Sequence, residues 1–232
     1  MHTEAACTEL ARALGLSTVD AHVVDFAGVP ALVVSRYDRR VRSDGTVERI
    51  HQEDTAQALG LDTSDMNRKF QRGKALPSLK AVATLLRHGG QEPDKLLAMT
   101  TFNLAVGNSD AHAKNISLIR HDDGTAELAP AYDVAMHAHH PGFSGVFAMD
   151  VSGGSQMARL TAGDLVQEAL TWPLAPRRAH RAVRDTLAGL EEALATIDRA
   201  SHPGVIERAW DVVEARTRAL VRSLPDLAFL GY

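Results

Sequence analysis

The sequence is poor in the features that mark a secreted, membrane-spanning or nucleic-acid-binding chain. It holds one cysteine, Cys7, in 232 residues. A single cysteine excludes an internal disulfide and fits a reducing compartment, so a cytoplasmic protein is expected. Cys7 lies in an apolar helical stretch, where an inert core thiol is expected rather than a nucleophile. No apolar run approaches the roughly 20 residues that a membrane span requires. Residues 1–16 are amphipathic, and Glu4, Glu9 and Arg12 interrupt any signal-peptide core. A net charge of -4 gives the whole chain no electrostatic footprint for DNA or RNA, so neither nucleic acid nor a membrane is expected as a direct partner. No Gly-x-Ser-x-Gly elbow is present, which argues against a serine hydrolase. Internal repeats and low-complexity tracts are absent as well. What is left, 45% apolar and 23% charged, is an ordinary globular composition long enough for one large domain or two small ones.

Against that background one stretch is dense with chemistry. Leu96, Met99, Phe102 and Val106 recur at helical spacing, which predicts a helix over about 94–106 that Gly107-Asn108 stops. The polar loop Ser109-Asp110-Ala111-His112-Ala113-Lys114-Asn115 follows, and a strand-like run, Ile116 to Ile119, begins directly after it. A polar loop pinned between two buried elements is where a site would sit. Asp110 precedes Asn115 by five positions, the separation that a phosphoryl-transfer loop uses between its proton-accepting Asp and its metal-holding Asn. Such chemistry needs a second carboxylate on Mg²⁺, a hard ion that prefers carboxylate and amide oxygens, and Asp133 in Ala131-Tyr132-Asp133 is the candidate. Lys114 could neutralise phosphate charge, and His112 could orient Asp110 or touch a phosphate. Each feature alone is weak; their order and context favour a kinase-like site. A metallophosphoesterase would need further Asp and His ligands upstream, which His51 to Asp54 do not supply.

Along the rest of the chain, residues 3–14 read as a helix with Thr3 as N-cap and Ala6, Leu10 and Leu14 on its buried face. Its Glu4 is either a first-turn acid favoured by the helix dipole or a helix Glu of the kind kinases use to hold a nucleotide-binding Lys. Residues 19–26 and 30–35 read as a hairpin about Ala27-Gly28, and Tyr37 after it either lines a pocket or caps the core. Residues 42–46 form a turn, and His51 onward begins a short helix. Residues 62–76 read as a polar loop made basic by Arg68, Lys69, Arg72 and Lys74, with solvated surface the ordinary explanation. A helix over 78–87 follows. Asp122-Asp123-Gly124 marks a second hairpin, which would carry the Asn115 and Asp133 loops side by side. His137, His139 and His140 lack the second ligand pair a zinc site needs. Residues 149–156 read as a loop. Thr161 caps a helix to about 170, and two long amphipathic helices close the chain, joined at His202-Pro203-Gly204 and packed antiparallel. The fold class expected is α+β, mainly helical, with small antiparallel hairpins presenting the site.

Asn108 to Asn115 resembles the catalytic loop of the HipA family, the serine/threonine kinase toxins of bacterial toxin–antitoxin pairs. Pro130-Ala131-Tyr132-Asp133 resembles that family's metal-binding loop. Gln52-Glu53-Asp54 with Gln57, Arg36-Tyr37-Asp38-Arg39, and Glu4 in its helix resemble further family signatures, and the match spans almost the entire chain. The resemblance implies a protein-kinase-like C-lobe with a hinge remnant: residues 1–40 a hinge-side helix and hairpin, 41–232 the helical C-lobe. It implies ATP and Mg²⁺ as cofactors, with Asp110 the proton acceptor and Asn115 and Asp133 the metal ligands. His112, Ala113, Lys114 and Tyr132 would lie along the nucleotide, and Ser35, Arg36 and Tyr37 would face adenine. Ser35 and Tyr37 stand where the family usually has Glu and Phe. The implied partners are a HipB-like antitoxin and a protein substrate, an aminoacyl-tRNA synthetase in the best-known members. Family members also carry an N-terminal portion with a Gly-rich phosphate loop, an autophosphorylatable serine and a strand Lys. No Gly-rich loop followed by a strand Lys occurs in this sequence, so a separately encoded N-lobe is the expected complement. The competing expectation is an inactive truncated module that binds an antitoxin.

Overall fold

The computed structural model describes residues 1–71, 73 and 76–226. Among them seven α-helices surround four small antiparallel sheets, so the chain is mainly helical with β-hairpins at one side. Helix α1 (His2–Ala13) leads into the hairpin β1 (Ala21–Phe26) and β2 (Val29–Val34), whose turn is Ala27-Gly28. The helix starts one residue before the expected span, with Met1 rather than Thr3 at its N-cap and no side-chain cap. A second hairpin, β3 (Arg39–Val41) and β4 (Val47–Arg49), closes on a turn in which the Arg42 amide donates to the Thr46 carbonyl at 2.8 Å.

The segment expected to open as a helix at His51 instead begins as strand β5 (Gln52–Asp54), and only Thr55–Ala58, helix α2, is helical. Tertiary pairing overrides local propensity here, because β5 is the edge partner of β6 (Ser117–Arg120) in a three-stranded sheet completed by β7 (Ala126–Leu128). Asp54 then caps α2 in a reciprocal capping box with Gln57. A single turn of 3-10 helix, Met66–Lys69, interrupts the following polar segment; Arg72 and Lys74 of its basic cluster lie outside the described residues. Helix α3 (Leu79–His88) is capped by Ser78.

Helix α4 (Asp94–Val106) is the centre of the molecule. Its last eleven residues are buried except Ala98, because α5, α6 and α7 all pack on it. A helix buried all round has to satisfy its polar side chains internally. Thr100 and Thr101 donate to the carbonyls of Leu96 and Leu97 at 2.8 Å each, and the Asn103 amide donates to the Met99 carbonyl at 2.9 Å. After β7, residues 146–156 form a further hairpin, β8 (Val146–Val151) and β9 (Gly154–Gln156), where a loop was expected. The reason is local: Ser152 and Gly153 both adopt positive φ, 51° and 79°, the tight-turn geometry that joins two short strands.

Thr161 caps α5 (Ala162–Leu170) in a capping box with Asp164. Helices α6 (Pro176–Thr196) and α7 (Glu207–Arg222) follow. His180 near the start of α6 bonds the Pro225 carbonyl past the end of α7, so the two run antiparallel. One core joins all of this. Ala6, Cys7 and Leu10 of α1 pack in the same cluster as Phe102, Val183, Trp172 and Trp210. Burial pushes the Cys7 thiol far above its usual range, which keeps it unreactive. No helix among the described residues is long and apolar enough to cross a membrane.

Candidate active site

The loop after α4 is held from both ends. Gly107 ends the helix at φ 77°, in the left-handed region, and a Cβ there would lie 2.6 Å from the Cβ of Ala138. Only glycine meets both demands. Beyond it runs a chain of amides. Asn103 Oδ1 accepts from Asn108 Nδ2 at 2.6 Å, and Asn108 Oδ1 accepts from the Asp110 backbone N–H at 3.2 Å. On the far side, the Ala113 carbonyl accepts from Thr55 Oγ1 at 2.7 Å, and the Thr55 N–H donates to Ile116 at 2.8 Å. Arg216 of α7 donates twice to the Leu104 carbonyl, at 3.1 and 2.7 Å, closing the helix end from behind; burial there pulls its guanidinium below the usual range. Asp110 is thus fixed by residues on α2, α4 and α7 as well as by its own loop.

Two cavities meet at this loop. One, of about 320 Å³, is lined by Asp110, His112, Lys114, Asn115 and Asp133, with Thr63, Met66 and Lys69 opposite. The other, of about 410 Å³, is lined by Ser35, Arg36, Tyr37, Tyr132 and Asp133, together with Glu4, Thr8 and Gln52. Asp133 belongs to both. Its backbone sits at φ 53°, a conformation an Asp tolerates better than most residues and one that tight packing must impose. The Tyr132 hydroxyl holds the two loops together, donating to the Lys114 carbonyl at 2.8 Å and accepting from Ser117 Oγ at 2.6 Å.

Asn115 donates from Nδ2 to the Asp110 carbonyl at 3.0 Å, which leaves its Oδ1 without a protein partner among the described residues. The Asp133 carboxylate forms neither a hydrogen bond nor an ion pair there. Asp110 approaches His112 Nε2 at 3.6 Å. These oxygens suit a hard cation that keeps several waters and shares phosphate oxygens. No group of three His, Cys, Asp or Glu side chains among the described residues is placed to hold a metal, so a closed zinc-type cage is not what this site offers. His112 is buried, its Nδ1 has no partner, and burial holds it below the ordinary histidine range against the opposing pull of Asp110 and Asp133. His137, 3.3 Å from Ser109 Oγ, is lowered by burial in the same way. Asp110, His112 and Asp133 line the same cavity, and both carboxylates oppose the lowering of the two histidines.

On the other cavity, Tyr37 and Tyr132 face each other with ring centroids 6.2 Å apart. The Tyr37 hydroxyl bonds Gln52 Oε1, and burial pushes it up to about 12. Ser35 turns its hydroxyl to Asp20, accepting from the backbone N–H at 2.7 Å. Arg36 folds onto Asp38 in a two-bond fork, at 2.6 and 2.5 Å, and holds that carboxyl well below its usual range. Glu4 forms no ion pair among the described residues; burial, then the nearby Asp133, raises its carboxyl against the pull of the N-terminal ammonium. Of the expected site residues, only Ala113 lines neither cavity: its side chain is fully buried and its role is the carbonyl bond to Thr55. The spacing argument did not single out Asn103, whose amide oxygen accepts from Asn108, or Lys69, which lines the Asp110 cavity. An Asn inside an otherwise apolar helix was the available signal for the first.

A family model, the HipA-like C-terminal domain, matches residues 1–194. This chain belongs to that family. It is 36% identical over 199 residues to the putative kinase Y4mE of Sinorhizobium fredii, covering 82% of this chain and 46% of that protein. It is 31% identical over 153 residues to the serine/threonine-protein kinase toxin HipA of Shewanella oneidensis, covering 61% of this chain and 35% of that one. The chain thus spans less than half the length of these curated relatives. Among solved structures, a chain of the Shewanella oneidensis HipA, HipB and operator DNA complex superposes with a TM-score of 0.75 at 22% identity, over 96% of this chain and 54% of that one. The Helicobacter pylori proinflammatory kinase CtkA superposes at 0.56 and 10% identity, over 96% and 80%. The likenesses to solved structures establish the fold: a HipA-like, kinase-like α+β arrangement. The signature Gln52-Glu53-Asp54 with Gln57 acquires a physical job within it. Gln52 holds Tyr37, Glu53 pairs with Arg120, and Asp54 caps the helix that anchors Ala113 through Thr55.

Proposed function

We propose that this chain is the catalytic half of a HipA-like serine/threonine protein kinase, the toxin component of a toxin–antitoxin pair. One observation carries the reading: Asp110, Asn115 and Asp133 line a single cavity, and Asp133 also lines a second cavity of nucleoside size. In this reading the base of ATP lies in the cavity lined by Ser35, Arg36, Tyr37 and Tyr132, and its phosphates would run past Asp133 toward Lys114 and His112. Asn115 Oδ1 and the Asp133 carboxylate would hold Mg²⁺, which would supply neutralisation of phosphate charge. Asp110 accepts the proton of a substrate serine or threonine hydroxyl as that oxygen bonds the γ-phosphorus. The bond from the γ-phosphorus to the β–γ bridging oxygen breaks, and ADP leaves. Asn115 fixes the loop by its bond to the Asp110 carbonyl, and the burial of His112 disfavours its protonated form.

A HipB-like antitoxin is the proposed regulatory partner, since the superposed Shewanella oneidensis HipA is part of a complex with HipB. The protein substrate, an aminoacyl-tRNA synthetase or another, is a matter of surface docking. Titration of Mg-ATP into the chain, alone and with any polypeptide encoded beside it, tests the reading. Asp110→Ala should abolish phosphoryl transfer and change nucleotide affinity less than about threefold. A chain that binds no nucleotide in either state is not a kinase. The second reading is an inactive module that captures an antitoxin, and one observation bears on it: Glu4 lines the nucleoside-sized cavity and forms no ion pair among the described residues. It predicts antitoxin capture unaffected by Asp110→Ala or Asp133→Ala, and turnover of ATP by the chain alone rules it out.

A further inference from the structure

The cavity around Asp110 has a wall that the catalytic-loop motif does not supply. It comes from the 3-10 turn Met66–Lys69, in a segment whose charge looked like ordinary solvated surface. Asp65 caps this turn through the Asn67 N–H at 2.9 Å. Two residues past its end, Gln71 is tied to β8: its N–H donates to the Ala148 carbonyl, and its Oε1 accepts from the Asp150 N–H, both at 3.0 Å. The basic side chains inside that frame divide sharply. Arg68 is exposed and does not line this cavity, whereas Lys69 is half-buried and lines it together with Asp110, Asn115 and Asp133. The Lys69 ammonium lies 5.1 Å from the centre of the Phe70 ring, and that ring meets His112 edge-on at 5.2 Å. Aromatic contact on one side and the anchored backbone on the other hold the charge at the cavity. Lys69 also disfavours protonation of His112, so the two are electrostatic neighbours. Neither Lys69 nor Lys114 forms an ion pair among the described residues.

From this geometry we infer that Lys69 is a catalytic residue contributed by this half of the molecule: with Lys114, it contacts the transferring phosphoryl group. Phosphoryl transfer depends on positioning and on neutralising charge spread over the phosphate oxygens, so an unpaired ammonium beside the proton acceptor and the metal ligands is where such charge would be met. The inference rests on the kinase reading for the identity of the anion. It goes beyond that reading in placing a phosphate-binding cation on the 3-10 turn, independent of any Gly-rich loop or strand lysine. Lys69 takes no proton in the reaction; its ammonium offers hydrogen bonds to oxygens that gain negative charge.

Calorimetry with three probes tests it: Mg-ATP, Mg-tripolyphosphate and adenosine. Lys69→Met should weaken Mg-ATP and Mg-tripolyphosphate by about 10- to 100-fold, the scale of a hydrogen bond to a charged group, and leave adenosine unchanged. Lys69→Gln should repeat the loss, Lys69→Arg should restore most of it, and Arg68→Met should match the parent. Tripolyphosphate without Mg²⁺ should show the same Lys69 dependence, which separates the lysine from the metal ligands. If Lys69→Met and Lys69→Gln bind both phosphate probes as the parent does, the inference is wrong while the kinase reading stands. If the parent binds tripolyphosphate through Lys69 but adenosine adds nothing in ATP, the nucleotide reading is wrong and Lys69 remains an oligophosphate contact. If the parent binds none of the three, both are wrong.

Discussion

The two sides of the site are built in opposite ways. On the catalytic-loop side every backbone turn is determined more than once. Gly107 is fixed by its helix end and by Ala138, Asp110 by the Asn103–Asn108 amide chain, and Ala113 by Thr55. On the hairpin side, β1–β2 and β3–β4 are isolated two-stranded sheets, and Phe26, Val29, Val34, Val41 and Val47 stand exposed on them. Two-stranded sheets contribute little stability by themselves. In the kinase reading proposed above, the chemistry sits on the multiply held side and the nucleoside would border the loosely supported one. Positioning matters most where a proton and a phosphoryl group move, and adaptability is tolerable where a base is held.

That contrast can be broken in graded steps. Gly107→Ala should have the largest effect, a loss of about 2–4 kcal/mol in urea unfolding, because it adds both a left-handed alanine and a clash with Ala138. Asn108→Ala leaves buried amide groups of Asn103 and Asp110 without partners and should cost about 1–3 kcal/mol. It should also lower phosphoryl transfer more than nucleotide affinity. A loss no greater than a surface substitution would show that the amide chain does not hold the loop.

Acid should act on the same side. His112 and His137 have folded-state proton affinities below the ordinary histidine value of 6.5, so the unfolded chain takes up protons first. Their contribution to stability is complete above about pH 6.5 and is lost as pH falls through the lower folded values. The denaturation midpoint should drop as pH falls below 6.5, and His112→Asn should flatten that slope. Glu4 has the opposite sign: its raised carboxyl means the folded chain binds the proton more readily, so Glu4→Gln should raise the melting temperature at neutral pH. Smallest of all, Phe26→Ser on the hairpin side should change stability by no more than about 0.5 kcal/mol. A larger loss would mean that this face is more tightly supported than its exposure indicates.

Much of this was legible in the residues. Helix α4 runs over the residues its spacing marks, and the Asp122-Asp123-Gly124 turn joins the strands expected on either side. Such features are local: periodicity, caps and turn residues act within a few positions. The misses have non-local causes. Gln52–Asp54 became a strand because β6 was there to pair with it. The 149–156 segment became a hairpin through a tight turn whose positive φ falls on a serine as well as a glycine. Tyr37, whose spacing left core and pocket both open, became a pocket wall because Gln52 and Tyr132 meet it there.

For the site, the order Asp110, Asn115, Asp133 lies in the sequence because one loop and one following turn carry all three residues. By itself the sequence determined which side chains have the chemistry for phosphoryl transfer and that a helix and a strand bracket them. Only the tertiary structure decided that Lys69, more than forty residues away from Asp110 along the chain, shares their cavity while Arg68 beside it does not. Side-chain type follows from the chain alone, but which charges face one another depends on where a turn is anchored, and here the anchor is a pair of hydrogen bonds from Gln71 to a strand seventy-odd residues downstream.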